Sequence, residues 1–369
     1  MRENLKEVAL LFFKLGSIAF GGPAAHIAMM EDEVVKKRKW ITHQHFLDLV
    51  GATNLIPGPN STEMTMHCGH ERAGWKGLIV AGACFVFPAV VITMVFAWLY
   101  QQYGQLPKVE PFLYGIKPAV IAIILGAVYR LGKKALKNVE LGVLGTLTLI
   151  ACLLGVNEIL ALFACGLLGL ILYFIRNSKN NLNSFTPLIL LQGALAASSL
   201  KIFWTFLKVG ALLYGSGYVL FAFLDAELVT TGLLTRQELI DAVAVGQFTP
   251  GPVLSTATFI GWQLGGFWGA IAATIGIFLP SFVFVSILNP FVPKMRKSRI
   301  YSAFLDAVNI AAVAVIVAVC VEMGKDTLTD WRTILIALLS IIAVFVFKKM
   351  NSAFIVIGGA LIGYLLTLI

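Results

Sequence analysis

The sequence predicts an all-α polytopic membrane protein built from two inverted repeats, on three observations. Of its 369 residues, 59% are hydrophobic and only 13% charged, far from the balance of a soluble domain. Apolar runs of about 18 residues or more recur along the chain, the length a helix needs to cross a bilayer. One stretch also occurs twice, residues 12–65 returning as residues 206–258.

The duplication is exact enough to align by eye. At an offset of 194, Phe12, Lys14, Gly16 and Gly21 meet Phe206, Lys208, Gly210 and Gly215. At 193, Thr42, Gln44, Asp48 and Pro57-Gly58-Pro59 meet Thr235, Gln237, Asp241 and Pro250-Gly251-Pro252. At 192, Gly69, Gly74, Gly77 and Pro88 meet Gly261, Gly266, Gly269 and Pro280. Self-similarity over this length marks a duplicated structural unit.

Each element follows from local pattern. The first span, residues 8–30, is interrupted at Gly21-Gly22-Pro23, where glycine permits a break and proline suits the first turn of a new helix. Lys14 interrupts its apolar run and has a deep-chain counterpart, so the segment reads as mature structure rather than a signal peptide. Residues 31–39 are charged and read as a cytoplasmic loop. Thr42 and Thr235 read as N-caps, the second with Glu238 in capping-box position. Residues 43–66 are too polar for a lipid-facing span and read as a re-entrant helical hairpin buried in protein. Spans follow near 77–100, 114–131, 139–155 and 157–175. The second half repeats the plan: a broken span near 188–223, a hairpin near 236–258, and spans near 266–289, 300–322, 332–348 and 351–369. The repeats are thus residues 1–180 and 188–369, with a polar linker at 181–187. That gives about ten transmembrane helices plus two hairpins, five crossings per half, and an odd number turns the second copy over.

The charges agree with that topology. The net charge of +9 is no nucleic-acid signal, because it sits in short loops. Lys36 to Lys39, Arg130, Lys133, Lys134, Lys137, Arg176, Lys179, Lys294, Arg296, Lys297, Arg299, Lys348 and Lys349 fall on one side, as the positive-inside rule asks. Asp225 and Glu227 fall on the other. The five cysteines, Cys68, Cys84, Cys152, Cys165 and Cys320, read as small core residues.

Several residues carry candidate chemistry. Lys14 and Lys208 lie mid-span at matched positions, where a lysine costs about 2.5–3.5 kcal/mol to insert. An anion-binding role competes with snorkelling or pairing at a helix end. Helix N-termini exposed at the breaks offer N–H groups and a positive dipole end to an anion, which makes Gly21, Gly22, Gly215 and Ser216 candidates. Asn60, Ser61 and Thr62 follow the first Pro-Gly-Pro, and Ser255 and Thr256 stand in the matching region of the second copy, with Gln247 and Thr249 just before its turn. Asp48 and Glu63 are intramembrane carboxylates and candidates for proton coupling. Asp48 is matched by Asp241 and equally suits a role in the fold, whereas Glu63 is matched by Thr256. His67, Cys68, His70 and Glu71 resemble a metal cluster, but their spacing lacks a separated second pair for a tetrahedral site, so the structural reading is preferred and no metal or cofactor is expected. No nucleotide-binding or nucleophile-elbow motif is present, which argues against an ATP-driven pump or an enzyme.

At Phe20-Gly21-Gly22-Pro23-Ala24-Ala25-His26, Pro57-Gly58-Pro59-Asn60-Ser61-Thr62, Gly215-Ser216-Gly217-Tyr218 and Gln247-Phe248-Thr249-Pro250-Gly251-Pro252 the chain resembles the chromate ion transporter family in its long, two-domain form. The resemblance implies a secondary transporter in a prokaryotic plasma membrane that exports chromate, with sulfate as a related dianion. Gly217 stands where the first half has Pro23. A passive anion channel and an intramembrane metal-dependent enzyme at His67–Glu71 are the competing classes. A homodimer is compatible with this plan.

Overall fold

The computed structural model describes residues 2–20, 22–104, 106, 109–176, 199–214, 217–288, 298–347 and 350–368. Its helices are α1 (Arg2–Ile18), α2 (Gly22–Met30), a π-helical turn (Glu31–Lys37), α3 (His43–Thr53), α4 (Asn60–Tyr103), α5 (Glu110–Ala135), α6 (Val139–Leu153) and α7 (Glu158–Arg176). There follow α8 (Ser199–Leu212), α9 (Val219–Leu224), a second π-helical turn (Asp225–Val229), α10 (Arg236–Phe248), a 3-10 turn (Val253–Ser255), α11 (Thr256–Leu288), α12 (Arg299–Thr327), α13 (Trp331–Val346) and α14 (Ser352–Thr367). No strand occurs among the described residues. The proposed linker at 181–187 lies outside them, as do Lys179, Lys294, Arg296, Lys297, Lys348 and Lys349.

The elements α1 to α7 recur in order as α8 to α14, down to the π-helical turn after the second helix of each set. The correspondence extends to backbone angles. Inside α4 the chain breaks at Ala73 (φ −144°, ψ 20°) and Gly74 (φ 64°, ψ −153°). Inside α11 it breaks at Gly265 (φ −153°, ψ 24°) and Gly266 (φ 59°, ψ −150°). Glycine tolerates the positive φ at the second position of each break, and the chain doubles back there. The short limb before each break then lies on the long limb after it. A Cβ on Gly77 would sit 2.1 Å from the Gly69 carbonyl oxygen, and one on Gly269 would sit 2.1 Å from that of Gly261. The two hairpins expected at 43–66 and 236–258 are present as α3 with the first limb of α4, and α10 with the first limb of α11.

Thr42 caps α3 by accepting from the His45 N–H, and Thr235 with Glu238 forms a capping box on α10. The charged residues 31–39, expected as a loop, are helical through Lys37. Acidic residues come first and basic ones follow at i+4: Asp32 reaches Lys36 at 3.8 Å and Glu33 reaches Lys37 at 3.2 Å. Such pairs, oriented with the helix dipole, favour helix over loop. The Lys37 ammonium, hydrogen-bonded to Asp32, holds that carboxyl below its ordinary range.

Among the described residues, five helices are long and apolar enough to cross a membrane: Asn60–Tyr103, Glu110–Ala135, Glu158–Arg176, Val253–Ile287 and Arg299–Thr327. Of the other five expected crossings, the two broken first spans are formed by the short helices α1 with α2 and α8 with α9, and α6, α13 and α14 are apolar but 15, 16 and 16 residues long, short of the ~20 that span a bilayer. The repeats are intertwined. Within each, α1 packs on α4 and α8 on α11; across them, α4 meets α11, α5 packs on α13 and α14, and α12 packs on α6 and α7. One large core therefore draws on both halves, from Ile121 and Leu162 to Phe259 and Val315.

The glycine seams give a direct test. Gly77→Val should lower stability by about 1–3 kcal/mol, the range for overpacking, because the obstacle is backbone. Gly358→Ala, whose Cβ meets nothing within 4 Å, should leave the melting temperature in detergent unchanged or slightly raised. Equal effects would remove the seam's importance.

Candidate functional site

The two Pro-Gly-Pro turns are tied to the opposite repeat. The Gly58 N–H donates to the Leu213 carbonyl at 2.7 Å, and the Gly251 N–H donates to the Ala19 carbonyl at 2.8 Å. Leu213 and Ala19 are themselves repeat counterparts, each just past the end of its repeat's first helix. Proline has no N–H and the chain cannot continue as helix here, so each break must find a partner elsewhere. Each finds it in the other repeat. Gly58 and Gly251 have φ of 137° and 91°, which glycine alone adopts without strain.

Polar side chains gather beside these turns. Ser61, Thr62, Gln247, Thr249, Ser255 and Thr256 are all buried, while Asn60 is half-buried and donates to Asn54 Oδ1 at 2.7 Å. The Thr62 and Ser255 hydroxyls, repeat counterparts of each other, have no hydrogen-bond partner among the described residues. Thr249 and Thr256 instead donate to the Val245 and Val253 carbonyls. Gly22 begins α2 with φ 78°. Gly21, Gly215 and Ser216 lie outside the described residues.

Glu63 is fully buried, and neither carboxylate oxygen has a hydrogen-bond partner among the described residues. A Cβ on Gly58 would fall 2.3 Å from both Glu63 Oε1 and Ser281 Oγ, so the glycine leaves room for that carboxyl. The Tyr214 hydroxyl lies near Glu63 and near the Tyr301 hydroxyl, which in turn donates to the Leu55 carbonyl. Asp48 is half-buried on α3 and engaged with a neighbour. Its counterpart Asp241 is buried, accepts from the Tyr100 hydroxyl at 2.7 Å, and lies 3.6 Å from Lys117 Nζ.

Lys14 and Lys208 are each held by a glutamate of the π-helical turn in their own repeat. Lys14 Nζ lies 3.8 Å from Glu33 Oε1, and Lys208 Nζ lies 2.6 Å from Glu227 Oε1. Glu33 and Glu227 are repeat counterparts at the same offset as the lysines. The pairs differ in tightness. Lys14 is 59% exposed, and Glu33 also binds Lys37 and Arg38; Lys208 and Glu227 are 28% and 16% exposed.

Against known proteins, the chromate transporter family matches residues 6–170 and again residues 200–364. The chain belongs to the chromate transporter family. The chromate transport protein of Cupriavidus metallidurans is 32% identical, covering 98% of this chain and 92% of that protein. The probable chromate transport protein of Synechococcus elongatus is also 32% identical, with 98% and 95% covered. The chromate transport protein of Pseudomonas aeruginosa is 29% identical, with 96% and 90% covered. No solved structure matches the chain. Family membership and the long apolar helices together make this a multi-pass membrane transporter.

In this chromate transporter family member the residues of the His67–Glu71 segment go separate ways. Glu71 pairs with His45 at 3.2 Å, His70 meets the Trp75 ring edge-on, and Cys68 is buried in an apolar cluster. Among the described residues no three metal-binding side chains gather. Lys117 and Tyr100 went unnoticed in the sequence. Lys117 had a readable signal, a lysine inside an apolar span like Lys14, but no repeat counterpart to draw attention to it.

The lysine pairs should respond unequally to neutralisation. Lys208→Gln strands a half-enclosed glutamate and should cost about 1–3 kcal/mol, between surface and buried pairs, with Glu227→Gln in the same chain restoring most of it. Lys14→Gln leaves Glu33 its other two partners and should cost less than about 1 kcal/mol. Thermal unfolding of the detergent-solubilised variants reads both; the reverse order would contradict the pairing.

Proposed function

We propose that this chain is a secondary carrier that exports chromate, or a sulfate-like dianion, from a prokaryotic cytoplasm, holding it where the breaks of two inverted repeats meet. The observation that carries the reading is the reciprocal Gly58–Leu213 and Gly251–Ala19 pair of hydrogen bonds. It supports a pseudo-twofold arrangement with helix breaks at its centre, the arrangement in which secondary transporters bind substrate. Relatives named as chromate transport proteins over nearly the full length support the substrate.

Asn60, Ser61, Thr62, Gln247, Thr249, Ser255 and Thr256, with the α2 N-terminus, supply neutral donors around the anion. The lysines, neutralised by Glu33 and Glu227, serve as paired clasps rather than as the anion's counter-charges. The tight Lys208–Glu227 contact and the loose, exposed Lys14–Glu33 contact support one closed and one slack end, as alternating access requires. Glu63, enclosed without a partner, is the proton-coupling residue in this reading, because an ionised carboxylate left unpaired in a membrane interior is expensive. Asp48, already engaged, serves the fold. Coupling is not obligatory for export: two negative charges leaving across 100 mV, inside negative, run down the potential and release about 4.6 kcal/mol, enough for a gradient on the order of a thousandfold.

Purified protein in liposomes should accumulate chromate with saturation and counterflow, with sulfate and molybdate competing more strongly than phosphate. Non-saturating flux without counterflow would make it a channel. Single cysteines at Lys37 and Thr231 in a cysteine-free background should label from opposite sides of the membrane; labelling from one side would end the inverted arrangement.

A further inference from the structure

Among the described residues, one cation near the end of a spanning helix stands without a carboxylate and close to neutral donors instead. Lys14, Lys208 and Lys117 each face an acid, and Lys137 pairs with Asp306 at 2.6 Å. Arg130, near the end of α5, forms no such pair among the described residues. Its side chain runs back along its own helix, placing Nη1 3.7 Å from where a Gly126 side chain would begin. That is the usual direction of a helical side chain, and here it carries the guanidinium back from the helix end, while the residue as a whole stays exposed. An exposed arginine on a span is costly unless it faces water or an anion.

The groups it meets are donors. The Tyr218 hydroxyl, on a residue only 9% exposed, lies close to the Arg130 guanidinium and the Gln247 amide. Gln247 is 5% exposed, and its Nε2 has no hydrogen-bond acceptor among the described residues. The same hydroxyl is 3.8 Å from where a Gly22 side chain would begin, so it reaches the first residue of α2, whose leading N–H groups have no intrahelical acceptors. Guanidinium, phenol, amide and helix N-terminus thus converge with no acidic group among them. Tetrahedral oxyanions take such a set: the guanidinium fork accepts two oxygens, and the helix end and neutral donors take the others.

We propose that Arg130, with Tyr218, Gln247 and the N-terminus of α2, binds the oxyanion and supplies its main counter-charge. This rests on the carrier reading above and replaces the lysines with a single arginine. It also makes the site asymmetric in charge, since at the offset of 192 Arg130 meets Glu322, just as Gly132 and Lys133 meet Gly324 and Lys325.

The test is equilibrium binding of radiolabelled chromate to the full-length protein in phosphatidylcholine nanodiscs, with unlabelled sulfate as competitor and a melting curve for every variant. Arg130→Gln should weaken chromate binding about tenfold to a hundredfold, the range for losing a charged hydrogen-bond partner. Arg130→Lys should recover part of that, and Tyr218→Phe should cost a few-fold. Lys133→Gln, one turn further along α5 and exposed, should bind as wild type. Wild-type binding that Arg130→Gln leaves unchanged, with normal melting, overturns this site and leaves the carrier standing. A guanidinium that serves lipid phosphate would give that same null result in phosphatidylcholine and a shift in melting only when phosphatidylglycerol is added, which also overturns the site. A wild-type protein that binds neither chromate nor sulfate overturns the carrier reading and this site with it.

Discussion

A backbone broken inside a membrane must still find partners for its N–H and C=O groups, since lipid offers none. That constraint organises this structure. The Pro-Gly-Pro turns cannot satisfy themselves, and each N–H they expose at glycine is taken by a carbonyl beyond the first helix of the other repeat. Neither half completes its own breaks. The intertwining of α5 with α13 and α14, and of α12 with α6 and α7, extends the same dependence to the core. Duplication here has produced one folding unit from two copies rather than two domains side by side.

Charge follows a similar economy. Intramembrane cations are tolerated where an acid of the same or the opposite repeat meets them, as Glu33 and Glu227 meet the two lysines and Asp241 meets Lys117. The departures stand out against that background. Glu63 is a carboxyl without a donor, and Arg130 is a guanidinium among neutral donors. Both are absent from the matching positions of the other repeat, where Thr256 replaces Glu63. The repeats supply a symmetric frame, and the chemistry that distinguishes an anion carrier from a symmetric scaffold sits where the copies have diverged.

Much of the frame is legible in the sequence because it depends on local rules. Glycine and proline at fixed spacing mark the breaks, threonine marks the starts of α3 and α10, and apolar length marks the long helices. The charged segment after α2 was misread as a loop because its net composition hid an acid-then-base order at i+4 spacing, which favours helix. The short helices α6, α13 and α14 mark the limit of counting crossings by hydropathy, since apolar composition fixes burial in lipid but not length.

The sequence by itself determined the class, the duplication, the breaks at the paired glycine and Pro-Gly-Pro motifs and the family to which the chain belongs, because each is written in residues close together or in their repetition. Tertiary structure alone decided which charges are spoken for. Lys14 and Lys208 look like open cations in the sequence; the π-helical turns bring Glu33 and Glu227, nineteen residues on, to each of them. Arg130 looks like one more basic residue at a helix end until Tyr218 and Gln247, from the other repeat, arrive beside it. Partner choice across such separations depends on how helices pack, and packing is a property of the whole fold.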